Sequence, residues 1–125
     1  MPARATLTLV TGASPAAREL AIFALLAAVT TEGGNTAVIL EGLANATSPL
    51  LPDSHLSVAR IAGGCLCCAG NLVLRVTLNR LLRHHPDRVY IGVGSSDHLD
   101  QLRSWLASAP YDQLLELADD VHALT

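Results

Sequence analysis

The chain has 125 residues, about one domain at the usual ~100–200 residues each, which excludes a separate catalytic lobe. Half of it is hydrophobic, with 3% aromatic and 15% charged residues against ~25% charged in a typical soluble domain, which excludes a disordered or highly solvated chain. Eight Arg, eleven acids and no Lys leave a net charge of −3, so no basic nucleic-acid footprint and no nucleic-acid partner is expected.

Residues 5–11 (ATLTLVT) alternate like a strand and end at Gly12, so the N-terminus does not read as a secretory signal. From Pro15 to about Thr30 the pattern is helical and apolar almost all round, which predicts a helix held inside against a sheet. Its longest apolar run, Leu20 to Val29, is short of the ~18 residues that span a bilayer, so no membrane insertion is expected. Gly33-Gly34-Asn35 stop that helix, and Thr36 to Glu41 forms a Val/Ile/Leu-rich second strand. Residues 42–54, with Gly, Asn, Ser, Pro and Asp, are the least regular stretch, and Leu56 to Ile61 is a short third strand.

A cysteine segment follows at once, and then Leu72, Val73, Val76, Leu78, Leu81 and Leu82 trace a helix that stops at His84-His85-Pro86. Arg88 to Val93 is a further strand, and Asp97 caps a helix through about Leu106 that Trp105 anchors to the core. The tail from Tyr111 places Leu114, Leu115, Leu117 and Val121 at helical spacing, with a strand from Val121 as the alternative and Asp119-Asp120 as a solvated helix end. The order predicts one α/β domain over residues 1–125: three layers, a mostly parallel sheet with helices on both faces.

A strand ending in Thr11-Gly12 before a helix is where such a fold holds a phosphate, through G-x-x-x-x-G-K-[ST]. Counting from Gly12 puts Ala17, Arg18 and Glu19 at the last three positions, so the second Gly, the Lys and the hydroxyl are all replaced. A guanidinium does not fit a site built for a compact ammonium, and Glu19 brings negative charge. Ser14-Pro15 is a good N-cap followed by a favoured first helical residue, so the helix starts early and consumes the loop. Gly12, Arg18 and Glu19 are at most a degenerate phosphate loop, and GTP hydrolysis is not expected.

Gly63-Gly64-Cys65-Leu66-Cys67-Cys68 is the most specific feature, holding all three cysteines. Without a signal sequence the expected compartment is the cytoplasm, where thiols stay reduced and clustered cysteines serve metal or redox chemistry. Thiolates at Cys65, Cys67 and Cys68 converge on one soft ion if the backbone turns, which the flanking glycines permit. The start of the following helix lowers thiol pKa values, and three ligands leave a tetrahedral zinc site open at its fourth position. Glu41, His55, Asp97 and His98 all remain open as a fourth ligand. His84, His85 and His122 read as structural. Cys65 and Cys68 also form a C-x-x-C, which leaves a dithiol oxidoreductase as another reading.

A strand running into Thr-Gly, an aliphatic helix, a second strand, then Gly64-Cys65-Leu66-Cys67-Cys68 before a helix resembles the CobW-type P-loop GTPases. These are related to the urease and hydrogenase maturation GTPases. The resemblance implies a P-loop-NTPase-like fold and a metal-site ancestry in delivery or insertion of zinc, cobalt or nickel. It corresponds to the N-terminal part of the family's GTPase domain, and the chain is identified as a truncated, degenerate member. The family's acidic segment after the second strand falls near Leu40-Glu41-Gly42-Leu43, where only Glu41 survives. At the end of the Arg88–Val93 strand, Gly92-Val93-Gly94-Ser95 supplies no carboxylate for magnesium, and the guanine-reading Asn-Lys-x-Asp lies beyond Thr125.

The expected function is therefore transition-metal binding, zinc first, in a metallochaperone or metal-homeostasis accessory domain that does not turn over nucleotide. The alternatives are a non-catalytic scaffold, a residual GTP-binding protein and the dithiol oxidoreductase. Loss of the family's C-terminal strands predicts an apolar sheet edge, covered by a second copy or a protein partner such as a metal recipient.

Overall fold

The computed structural model describes residues 4–12, 14–28, 34–41, 50–61, 72–94 and 99–123. Among these residues six strands and four helices follow in chain order: β1 Ala5–Thr11, α1 Pro15–Ala28, β2 Thr36–Glu41, β3 Leu56–Ile61, α2 Leu72–Leu82, β4 Arg88–Val93, α3 Leu99–Leu106, α4 Tyr111–Leu114, β5 Leu115–Leu117 and β6 Val121–His122. All pair in parallel, in the order β3-β2-β4-β1-β5, with β6 continuing the β5 edge along β1. This is the α/β architecture expected from the sequence.

Alternate residues of each strand feed two cores. Leu7 and Leu9 of β1, Ala37 and Ile39 of β2, and Val89 and Ile91 of β4 pack with Leu74, Leu78, Leu102 and Leu106 of α2 and α3. Val10, Val38, Leu40 and Tyr90 point the other way, onto Ile22 of α1 and onto Leu50. Two buried faces explain why β1, β2 and β4 read as near-continuous apolar runs. Leu9, Ile39, Leu74 and Leu78 are fully enclosed, and truncating one of them to Ala costs about 2–5 kcal/mol.

The chain leaves β1 toward β2, passing over β4, and leaves β4 toward β5, passing over β1. The switch in direction falls at the carboxyl ends of β1 and β4, the end at which open α/β sheets bind their ligands.

The expectations for α1 and for the tail need correction. α1 is not enclosed: Arg18, Glu19 and Ile22 are buried, but Leu20 is 57% and Phe23 46% exposed on its outer side. A single helix over this face leaves its far side to solvent among the described residues. The tail is not one helix: α4 is a single turn, after which Leu115–Leu117 and Val121–His122 extend along β1. Pairing with β1 satisfies an edge that would otherwise present a row of open N–H and C=O groups. Among the described residues the sheet ends on β3 and on β5 and β6.

That tail carries a bulge. Ala5 opposes Leu115, but Val10 opposes Val121, so Ala118, Asp119 and Asp120 stand against only Thr8 and Leu9. Arg103 of α3 holds the bulge, its Nη1 donating to the Ala118 carbonyl at 3.0 Å and to Asp120 Oδ1 at 2.6 Å. Asp119-Asp120 are therefore a strand interruption rather than a helix end. Trp105 of α3 anchors as expected, edge-on to Tyr111 at 5.0 Å between ring centroids, with the Arg75 guanidinium 5.8 Å from its ring. No helix among the described residues is long and apolar enough to cross a membrane.

Candidate functional site at the carboxyl ends of the strands

α1 begins as its sequence dictates. Ser14 Oγ accepts the Ala17 N–H at 3.1 Å, Pro15 opens the helix, and the Arg18 N–H reaches the Ser14 carbonyl at 3.2 Å. This start turns Arg18 and Glu19 inward, where they are 5% and 4% exposed.

Arg18 folds back on the loop that precedes it. Its Nη1 donates to the Gly12 carbonyl at 2.8 Å, a charge-assisted bond from a group that stays cationic. A Cβ on Gly12 would stand 2.9 Å from Ala123 Cβ and 3.1 Å from Arg18 Cγ, so the space over Gly12 does not admit even a methyl group. Glu19 turns toward β3, where both its oxygens meet the Arg60 guanidinium, at 3.0 and 3.3 Å. The three positions counted out as a degenerate phosphate loop are thus close together. Each is engaged by this chain's own groups.

Glu41, at the end of β2, has its Oε2 on the Gly94 N–H at 2.7 Å. A Cβ at Gly94 would fall 2.7 Å from that same oxygen, so a larger residue there would make the carboxylate that bridges β2 and β4 shift. Thr11 Oγ1, at the end of β1, is in short contact with His122 Nδ1, while the Ala123 N–H reaches the Thr11 carbonyl at 2.6 Å. His122 is structural in that sense, fixing the tail to the end of β1.

Cys65, Cys67 and Cys68 lie outside the described residues, as do Asp97 and His98. In the sequence the cysteines stand between Ile61, the buried last residue of β3, and Leu72, the first residue of α2. Ile61 ends level with Glu41 in the β2–β3 ladder, at the same end of the sheet as Gly12. His55 is at the other end: its carbonyl accepts the Thr36 N–H at 2.8 Å, at the start of β2. A full strand therefore separates His55 from Ile61. Among the described residues no group of three His, Cys, Asp or Glu is placed to hold a metal ion.

Two residues here escaped the sequence reading. Arg60 is a cation inside an apolar strand, LSVARI, at the alternate positions that face α1, which is the signal that it has a buried acid to meet. Gly94 is the second, marked only by its place after a strand end.

Part of the chain is homologous to a zinc chaperone. The match is to the zinc chaperone YeiR of Escherichia coli (strain K12), 38% identical over 69 residues, which is 54% of this chain and 21% of that protein. The chain thus spans only a small part of the relative's length. No protein-family model matches the chain, and no solved structure does.

Proposed function

We infer that this chain is a CobW-like, zinc-handling accessory domain that binds its ion through Cys65, Cys67 and Cys68 and does not turn over GTP. Partial homology to a zinc chaperone carries this reading, joined to three sulfurs in four consecutive positions. Each cysteine would release its proton and bind as thiolate, so three ligands give a zinc complex of net charge −1. An open fourth position would let an incoming ligand displace the ion stepwise, which is what transfer to a recipient protein requires. Nickel or cobalt would suit the same sulfurs less well than zinc, which also tolerates any coordination direction. The domain works in the cytoplasm on this reading, where the thiols stay reduced.

The absence of nucleotide turnover is supported by the Arg18 bond to Gly12 and by the Glu19–Arg60 pair, which commit the groups a phosphate and its magnesium would need. Titration of the reduced chain with Co²⁺ tests the metal site. A thiolate-to-cobalt charge-transfer band should grow to one equivalent and vanish in C65S/C67S/C68S. Its absence from the native chain overturns the reading, as does release of phosphate from GTP at a rate above buffer alone.

A second reading is an interaction module without a metal, paired with another copy or with a protein partner. Exposed Leu72, Val73 and Val76 on α2, at 67%, 56% and 56%, favour it. Sedimentation of a monomer at high concentration would exclude the homodimer.

A further inference from the structure

The amino ends of the strands, at the other end of the sheet, carry a second constellation. His55 and His84 line one cavity of about 280 Å³. His55 sits in the tight turn before β3, where Asp53 Oδ1 accepts its backbone N–H at 2.7 Å. Asn35 stands beside it, its own backbone fixed by Asp87: the Asn35 N–H donates to Asp87 Oδ2 at 2.9 Å, and the Asp87 N–H donates to the Asn35 carbonyl at 2.8 Å. The Asn35 Oδ1 lies 3.3 Å from His55 Nδ1. An amide oxygen accepts, so this contact favours the tautomer with the proton on Nδ1 and the lone pair on Nε2. Metal-ligating histidines are oriented by this kind of outer hydrogen bond.

His84 enters the same cavity from the end of α2, where its backbone N–H meets the Leu81 carbonyl at 3.1 Å. Its ring is exposed and makes no hydrogen bond among the described residues. His85 follows at φ 51°, and this left-handed residue turns the chain so that His85 lines a different cavity, with Arg83 and Gln113. The adjacent histidines therefore diverge. The histidine that shares a cavity with His84 is His55, 29 positions away in the sequence. Asp53 and Asp87 add negative charge around this cavity without occupying it.

We propose that His55 and His84 form a surface site for one borderline divalent cation (Zn²⁺, Ni²⁺ or Cu²⁺), with water completing the coordination. Two neutral imidazoles suit these ions, with metal–nitrogen bonds of about 2.0–2.1 Å for zinc. The site is independent of the cysteines and of the function assigned to them.

The test titrates C65S/C67S/C68S with Ni²⁺ by calorimetry, comparing H55A, H84A and H85A in that background. H55A and H84A should each weaken binding at least tenfold, while H85A stays within twofold. Equal weakening by H85A and H84A overturns the pairing, and unchanged affinity in both H55A and H84A overturns the site. The native chain gives a second readout that needs no cysteine replacement. Imidazole resonances of His55 and His84 should shift or broaden together at substoichiometric Ni²⁺, and resonances of both that do not move overturn the proposal.

Discussion

The Glu19 carboxylate on α1 and the Arg60 guanidinium on β3 form a two-pronged ion pair, Oε1 to Nη2 at 3.0 Å and Oε2 to Nη1 at 3.3 Å. The Glu19 side chain is 5% exposed and that of Arg60 20%, so the acid has the larger desolvation cost to recover. Removing the cation alone should therefore hurt more than removing both charges. Arg60→Met is expected to destabilise the chain by about 2–3 kcal/mol, and E19L/R60M to recover most of that. Urea denaturation measures both, and an R60M as stable as the native chain would show that the pair holds nothing.

Gly12 is the second sensitive point. Its missing side chain lets Ala123 and Arg18 approach within 2.9 and 3.1 Å of where a Cβ would stand. Gly12→Ala should push the tail from the end of β1 and cost about 1–3 kcal/mol, as overpacking does. The Ala123 amide, bonded to the Thr11 carbonyl at 2.6 Å, should lose hydrogen-exchange protection. Retained protection at that amide would mean the chain yields elsewhere.

Stability should fall in alkali. Burial raises the Tyr90 phenol above its ordinary 10.0, against a smaller opposing pull from Arg88. Tyr111 is raised in the same way by burial, opposed by Arg75 and by its hydrogen bond to Asn79. The folded chain thus keeps protons that the unfolded chain releases near pH 10. This contribution is complete below that pH and is lost as pH climbs through the raised folded values. Melting temperatures followed upward from pH 9 should drop beyond 10, and Y90F should flatten the decline. A Y90F profile parallel to the native one would assign the effect to other groups.

His85 ends α2 in the left-handed region, at φ 51°, just before the buried Pro86. Side chains with a Cβ resist this conformation by about 1–2 kcal/mol, although histidine adopts it more readily than most residues. Glycine is the usual occupant. His85→Gly should stabilise the chain by about 0.5–1 kcal/mol, read as a rise in melting temperature; a fall would mean the ring contributes packing that its exposure does not reveal.

Much of the fold was legible because period and punctuation agreed. Thr36 to Glu41, Leu56 to Ile61 and Arg88 to Val93 each form strands over the residues their apolar runs mark out, and Ser14-Pro15 starts α1 where capping chemistry requires. The tail was misread because Leu114, Leu115, Leu117 and Val121 satisfy a helical spacing almost as well as a strand's. The open edge of β1, a tertiary fact, decided between them. Gly12, Arg18 and Glu19 were legible as departures from a phosphate loop, but their new partners were not. The Arg60 partner of Glu19 is 41 positions distant, and although a cation within β3 signals a buried acid, nothing local says which one. Nor could the sequence separate His84 from His85, since the turn that parts them is set by one backbone angle.

The extra residue between β5 and β6 works as a half-step of phase. Leu115 and Leu117 feed the layer beneath α2 and α3, and by simple alternation Val121 would follow them. Instead it joins Val10 and Ile22 under α1, because the interruption reverses which parity of the tail looks up and which looks down. One short terminal ribbon thereby stitches both layers of the domain. Deleting Asp119 alone would restore two residues against two and leave Val121 opposite Val10, so what the extra residue adds is the Ala118–Asp120 stretch that Arg103 grips.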